Sequence, residues 1–508
     1  MCHKEEAPVN LSNIILHGSR CVPDHEAIIF EDRRITYREL NSAVDMVAYY
    51  LRDVGIHEND KVALYCENRP EWIMLYYGII RLGAAVVCVS SAYRSTELEY
   101  LLKDSQPACV ITSEGLVTHI PDSMTLPGIK DVLVIERDEQ LSDLCRKAAT
   151  DSIVPFPVKD CDAEASCSIL YTGGTTGVPK GAMLTHENLL YTAQNVCYHE
   201  RADSRDRGLC FLPLNHVFAG NHIMNSLLYS FGTLVIHRGF DMDEIISSIE
   251  ANGITRLYAV PTVYIRFLNN PDCHVRLRSV GYSFSAATSM PAEIVRQWKS
   301  TFGLNIHEAY GMTESSSLVT FNHLYRHKIG SVGTPAGLVE VKIANEDGSR
   351  VPDGQEGEIL IRGPNVMKGY YNRPEETAET LAGGWLHSGD VGRLDEEGYL
   401  YIVDRIKDMI ITGGLNVYPT EVENALYLHE SVEECAVAGL AHDEYGEVVT
   451  AFVRLKQGFG VTEDELIRFC KQRIASYKAP KKVFFVEDFP RTPQGKLLKR
   501  KLRNHTFR

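Results

Sequence analysis

From Tyr171 to Leu189 the chain reads YTGGTTGVPKGAMLTHENL, and this stretch decides how the rest is read. Three glycines, three threonines and one lysine fall between Tyr171 and Lys180. Gly173, Gly174 and Gly177 can adopt positive φ and turn backbone N–H groups toward an anion. Thr172, Thr175 and Thr176 add hydroxyl donors, and Lys180 adds a charge. Together they suit a polyphosphate. The stretch is not a Walker A loop, which needs G-x-x-x-x-G-K-[ST]; here Pro179 precedes the lysine and Gly181 follows it. The alternative is a flexible Gly/Thr-rich loop, and motifs elsewhere in the chain discriminate between the two.

At 508 residues the chain is too long for one ordinary core, so at least two units are expected. Apolar residues at 44% and charged residues at 23% fit a globular protein and exclude disorder. The net charge of −15 argues against a nucleic-acid binder, which needs concentrated positive charge. From Lys471 to Arg508 the balance is locally reversed, with only Glu487 and Asp488 as acids. That region reads either as a solvated basic tail or as a surface that meets an anionic ligand. Thirteen cysteines without C-x-x-C spacing read as reduced thiols in a cytoplasmic protein. The start, Met1 to Glu6, has no signal-peptide character, and no run reaches the ~18 apolar residues of a membrane span, so any membrane contact would be peripheral.

Working outward, strand and helix signals alternate before and after the glycine stretch. Thr36 with Glu39 forms a capping-box pattern ahead of Leu40, Val44, Val47, Ala48 and Leu51, which share a helical face, and Gly55 is a stop. Strand-like Lys61 to Cys66, helical Glu71 to Leu82 and strand-like Ala84 to Ser90 follow. A second box, Thr96 with Glu99, is expected to open a helix before the strand at Ala108 to Thr112. The rhythm resumes with a strand at Thr233 to His237, a helix over Asp243 to Ala251, and a strand at Arg256 to Val260. This β-α order predicts parallel sheets covered by helices. Short β-rich pieces occupy Gly330 to Tyr401. Beyond Asp404 an α+β pattern begins, with helices at Thr420 to Leu428 and Glu463 to Ile474 and strands at Val432 to Gly439, Val448 to Leu455 and Val483 to Val486. The change of texture predicts domains over 1–403 and 409–508, joined at 404–408.

Six further stretches carry chemistry. In Glu308-Ala309-Tyr310-Gly311-Met312-Thr313-Glu314, an aromatic residue, a hydroxyl and a carboxylate flank a glycine turn, a set suited to a base, a phosphate oxygen and Mg²⁺, which takes oxygen ligands. In Gly384 to Asp390 and Asp404 to Asp408, Asp390 can accept bonds from both ribose hydroxyls, and Arg405 can meet the sugar or phosphate. Ser285-Ala286-Ala287-Thr288-Ser289-Met290-Pro291 is a small-residue turn. Phe211 to Gly220, FLPLNHVFAG, carries His216 and Phe218. Pro490 to Lys496, PRTPQGK, sets Lys496 on a Pro/Gly loop able to deliver one charge into a cleft.

In order and spacing these motifs resemble those of the adenylate-forming superfamily of acyl-CoA synthetases, aryl-CoA ligases, luciferases and peptide-synthetase adenylation domains. The resemblance spans essentially the whole chain and is greatest to fatty acyl-CoA synthetases, some of which share the Gly173-Gly174 pair where many members have serine first. It implies an α/β fold: a large multi-lobed N-terminal domain of helix-covered sheets, and a small mobile α+β C-terminal domain turning about Lys407. It also implies ATP and coenzyme A as substrates, with Mg²⁺ on Glu314.

By that resemblance, Thr172, Gly173, Gly174, Thr175, Thr176, Gly177 and Lys180 hold phosphates. Ala286, Ala287, Glu308, Ala309, Tyr310 and Gly311 line the nucleotide, Thr313 meets the α-phosphate, and Asp390 and Arg405 take the ribose side. Lys496, Glu314, Thr313 and Lys180 are the catalytic candidates. His216, Phe218 and Ala219 border the acyl pocket, and Gly413 and Gly414 the CoA channel. Ala286 stands where the family has glycine, and Ser289 where it has proline.

The pocket segment has no aspartate at the position where amino-acid-activating members pair an ammonium, and burying an unpaired ammonium would be costly, so an uncharged acid is expected. Aliphatic Ile223, Met224, Leu227 and Leu228 lean toward a medium- or long-chain fatty acid. Aryl-CoA ligation, loading of a carrier protein, and a non-catalytic nucleotide sensor are the alternatives.

Overall fold

In the computed structural model, the described residues are 9–121, 128–146, 154–158, 162, 164–173, 179–442, 445–492 and 497–502. Gly174, Thr175, Thr176, Gly177 and Lys496 lie outside them.

The expected α/β architecture is present, and it is built on two helix-covered sheets. One runs, from edge to edge, through Thr334–Pro335, Thr320–Phe321, Ile306–Tyr310, Tyr282–Ser285, Arg256–Ala259, Arg207–Cys210, Thr233–Ile236, Glu26–Phe30 and Arg33–Thr36. Its central pairings are parallel. The other runs through Gly369–Tyr370, Pro179–Thr185, Ser166–Gly173, Ala85–Cys88, Lys61–Tyr65, Cys109–Thr112 and Asp131–Val134. Strands buried on both faces read as near-continuous apolar runs, which is why Val86, Val87 and Cys88 show no alternation. Helix Pro70–Leu82 is buried along its whole length, with Pro70 at its first turn and Gly83 (φ 88°) closing it.

The capping box at Thr36 forms as expected: Thr36 Oγ1 accepts from Glu39 N–H, and Glu39 accepts from Thr36 N–H. The second expected box does not form. Helix Ser95–Ser105 begins one residue before Thr96, and Glu97, not Glu99, accepts from the Arg94 N–H at 3.1 Å. Glu99 instead pairs with Lys103 one turn on, at 2.6 Å. The extended backbone of Arg94 sets the start of the helix, so Thr96 already sits inside the first turn.

A four-stranded antiparallel sheet of Glu340–Ala344, Gly357–Arg362, Leu386–Leu394 and Leu400–Arg405 follows. Past a single 3₁₀ turn at Ile406–Asp408 a second apolar core begins, from Ile410 to Val483 and separate from the large one. Its sheet holds Leu415–Val417, Ile410–Thr412, Gly446–Leu455, Val432–His442 and Lys482–Phe485. Hydrogen bonds bridge the parts: Asp404 accepts from the N–H and hydroxyl of Thr420 at 3.0 and 3.1 Å, and Asn269 donates to Glu433 at 3.4 Å.

Candidate active site

The glycine stretch leaves the sheet on strand Ser166–Gly173 and returns on the antiparallel strand Pro179–Thr185, so Thr172 faces Lys180 in register. Thr172 Oγ1 donates to Glu314 Oε1 at 3.3 Å, which joins the loop base to a motif 142 residues away. Tyr370 donates to the same oxygen at 2.8 Å, and Lys180 Nζ sits 5.2 Å from the centre of the Tyr370 ring. Burial and the Glu314 charge both push the Tyr370 hydroxyl well above its usual pKa, so it stays a donor. Both hydrogen bonds to Glu314 fall on Oε1. Among the described residues Oε2 accepts none, which fits a carboxylate that gives one oxygen to Mg²⁺ while phosphates and water supply the rest. No group of three or more His, Cys, Asp or Glu placed to hold a metal ion occurs among the described residues.

The turn between Tyr310 and Glu314 needs glycine. A Cβ on Gly311 would lie 2.1 Å from the Ser317 carbonyl oxygen, so any side chain there would push the 312–317 loop away. On one side of this turn, the Tyr310 hydroxyl donates to Asp390 Oδ2 at 2.7 Å, and Arg405 Nε meets Asp390 Oδ1 at 3.1 Å. Asp390 and Arg405 are register partners on neighbouring strands, so the antiparallel ladder itself sets their pairing. On the other side, Thr313 shares a small polar cleft with His216, Asn215, Ser90, Tyr93 and Tyr171. His216 Nδ1 accepts from the Phe218 N–H at 3.2 Å, and Phe218 and Ala219 are buried.

Behind the turn, strands Tyr282–Ser285 and Ile306–Tyr310 run parallel, with Ser285 beside Glu308. Burial pushes the Glu308 carboxyl up to about 8, and its Oε1 has no hydrogen-bond partner. Ser285 Oγ, next to it, is also unpaired. Two buried polar atoms left open beside Tyr310 suit a hydrogen-bonding ligand edge or ordered water. In the following turn it is Ala287, at φ 73°, that takes the left-handed conformation. Ala286 does not, so loss of the family's glycine there costs no backbone freedom.

Thr172, Lys180, Thr313, Glu314, Tyr310, Asp390, Arg405 and His216 are thus linked into one neighbourhood. Tyr370 belongs to it and was not foreseen. Its only local signal is the Gly369-Tyr370-Tyr371 sequence, and it reaches Glu314 because Gly369–Tyr370 pairs with Ala182 and Met183 across the sheet. Gly413 and Gly414 are not brought to this group. They form the exposed turn of the hairpin Ile410–Val417, where the Gly413 N–H donates to the Tyr445 carbonyl at 2.9 Å. Lys407 lies exposed in the turn at Ile406–Asp408.

Comparison with known proteins supplies the rest. A model of AMP-binding enzymes matches residues 17–371, and one of the AMP-binding enzyme C-terminal domain matches 421–496. The chain belongs to the AMP-binding enzyme family. Similar to this AMP-binding enzyme is a long-chain-fatty-acid–CoA ligase of Bacillus subtilis, 34% identical over 97% of this chain and 94% of its own. A feruloyl-CoA synthase of an Amycolatopsis species is 36% identical over 96% of each. The structure of ATP-bound MatB from Rhodopseudomonas palustris superimposes with a TM-score of 0.90 at 32% identity, covering 98% of both chains. The AMP-binding enzyme described here is accordingly an adenylate-forming acid–thiol ligase with ATP and CoA as substrates. No helix among its described residues is long and apolar enough to cross a membrane.

Proposed function

We propose that the enzyme joins an uncharged carboxylic acid to CoA in two steps through an acyl adenylate, releasing diphosphate and then AMP. The observation that carries this reading is the meeting of Thr172, Glu314, Tyr370 and Lys180 within a few residues of the Tyr310–Asp390–Arg405 chain. One set faces phosphate chemistry, and the other offers a ribose site.

In the first step the substrate carboxylate attacks the α-phosphorus in line, and the protein supplies no nucleophile. Its residues position and neutralise: Lys180 and the 173–177 loop on the phosphates, Thr313 at the α-phosphate, and Lys496 across the acyl carboxylate. Mg²⁺ on Glu314 would offset charge on the phosphate oxygens. Asp390, already accepting from Tyr310 and Arg405, would exchange one of these partners for ribose hydroxyls. We further assign 1–403 and 409–508 as the domains and Lys407 as the hinge, whose rotation brings Gly413 and Gly414 to the adenylate for CoA attack.

The substrate is best read as an acid with a compact body, aromatic or of medium length. Of the aliphatic residues that suggest a long chain, Leu227 fills the space left by Gly208, while Ile223, Met224 and Leu228 are buried in the same core as Phe218 and Ala219. A long-chain reading keeps the support of the Bacillus relative. The test is AMP release over a panel of acids, with and without CoA. Acid-dependent AMP release with CoA consumption supports the ligase reading, and release without CoA consumption at any acid contradicts it.

A further inference from the structure

One helix meets the glycine stretch at both of its ends. Tyr100 and Asp104 stand four residues apart, on one face of helix Ser95–Ser105, whose Leu98, Leu101 and Leu102 pack into one apolar cluster with Ala63, Val87 and Ile169 of the sheet. Asp104, with its side chain 9% exposed, is shared between two partners: Oδ2 accepts from the Tyr171 hydroxyl at 2.7 Å, and Oδ1 accepts from Arg373 at 2.6 Å. The same guanidinium donates to the Tyr100 hydroxyl at 3.2 Å, and that hydroxyl donates to the Pro179 carbonyl at 3.0 Å. Tyr171 opens the glycine stretch, and Pro179 begins the strand on which it returns.

The reaction above does not use these contacts. A carboxylate drawn this far from water is costly unless it is paired, and an apolar residue would anchor the helix to the sheet more cheaply, so the arrangement calls for an explanation beyond packing. Its targets offer one. Tyr171 directly precedes Thr172, Pro179 directly precedes Lys180, and Thr172 and Lys180 face each other in the ladder. Arg373 in turn donates its N–H to the Tyr370 carbonyl at 3.3 Å, so the turn that brings Tyr370 to Glu314 hangs on the same carboxylate. Burial and the bond to Asp104 push the Tyr171 hydroxyl well above its usual pKa, which keeps it a donor.

Building on the proposed reading, in which Lys180 and the glycine stretch hold phosphates, we infer that Asp104 is a positioning residue for the triphosphate. Through Tyr171 it fixes the strand that carries Thr172, and through Arg373 and Tyr100 it fixes the strand that carries Lys180. It touches no substrate itself. Its effect falls on the phosphates beyond the α-phosphate, because the ribose and the α-phosphate are assigned to Asp390 and Thr313, which make none of these contacts.

The test compares the Kd of MgATP with that of AMP, without acid or CoA, in the wild type, in Asp104→Ala and in Tyr171→Phe, which removes one hydroxyl and keeps the ring. Asp104→Ala is expected to weaken ATP about 10-fold and Tyr171→Phe about 5-fold, with AMP held within about 2-fold in both. A merely structural aspartate would weaken the two nucleotides together or neither. ATP affinity within about 2-fold of the wild type in both variants, or a loss for AMP that matches the loss for ATP, overturns the proposal. Should Asp104→Ala fail to fold, Tyr171→Phe decides by the same criterion. Absence of acid-dependent AMP release with every acid overturns the ligase reading alone, since the binding comparison needs no acid.

Discussion

Tyr310 and Asp390, 80 residues apart in the chain, share a buried 2.7 Å hydrogen bond that ties the end of the parallel sheet to the antiparallel sheet leading into the second core. Asp390 also holds Arg405 at 3.1 Å, two residues before Lys407. The carboxylate proposed for ribose is thus also the point where the nucleotide site meets the proposed hinge.

Asp390→Ala should therefore raise the KM for ATP by at least ~10-fold, since it removes the ribose acceptor and leaves the Tyr310 hydroxyl and Arg405 without their shared partner. Tyr310→Phe should cost much less, about 3-fold, because Asp390 keeps Arg405. Steady-state ATP titration of both variants checks this. Equal effects would mean that Asp390 serves only to anchor the tyrosine.

Glu314→Gln should lower kcat about 100- to 1000-fold, the loss expected when a preorganised charge contact in the transition state is removed. Excess Mg²⁺ should not restore it. Tyr370→Phe removes one hydrogen bond to that carboxylate, and a loss of ~1 kcal/mol, roughly 5-fold in rate, is expected. Rates at graded Mg²⁺ separate the two roles; a Glu314→Gln enzyme near wild type would remove this carboxylate from the chemistry.

Glu308 makes a stability prediction with a definite sign. Its folded-state carboxyl is pushed up by burial from 4.5 to about 8. Between those values the unfolded chain has released the proton while the folded one keeps it. The native state therefore loses stability as pH rises from about 4.5 to 8, by an amount on the order of a few kcal/mol, and the loss levels off above. Glu308→Gln should flatten that slope. Denaturant midpoints at pH 5 and pH 8 for both proteins are the check, and parallel slopes would contradict it.

How much of this was legible in the sequence depends on the reach of each contact. The Thr36–Glu39 box and helix Pro70–Leu82 are set by neighbours within a turn and by an unbroken apolar run, and both appear as read. Thr96 misled because the helix begins two residues upstream of a Thr96 cap, where the extended backbone at Arg94 sets its start. Tyr310, Glu314, Asp390 and Arg405 were found through motif order, yet which of them touch was not readable, since the contacts depend on pairing between strands. Tyr370 offers no local pattern beyond Gly369-Tyr370-Tyr371, because it reaches Glu314 across 56 residues and only through strand pairing.

Lys407→Pro should separate the half-reactions, because proline fixes φ where a hinge must change it. Adenylate should form at a near-normal rate while acyl-CoA fails to accumulate. Lys496→Ala should do the reverse, slowing adenylation about 30- to 1000-fold while sparing CoA transfer from supplied adenylate. Single-turnover measurement of each step decides, and loss of both steps together in either variant would contradict the division of labour.

The most direct test of the central claim is acid-dependent exchange of labelled diphosphate into ATP, measured without CoA. The account predicts exchange that requires the acid, proceeds in the absence of any thiol, and gives way to acyl-CoA and AMP when CoA is added. Exchange absent with every acid, or acyl-CoA formed with release of ADP and phosphate, would contradict the acyl adenylate on which the account rests.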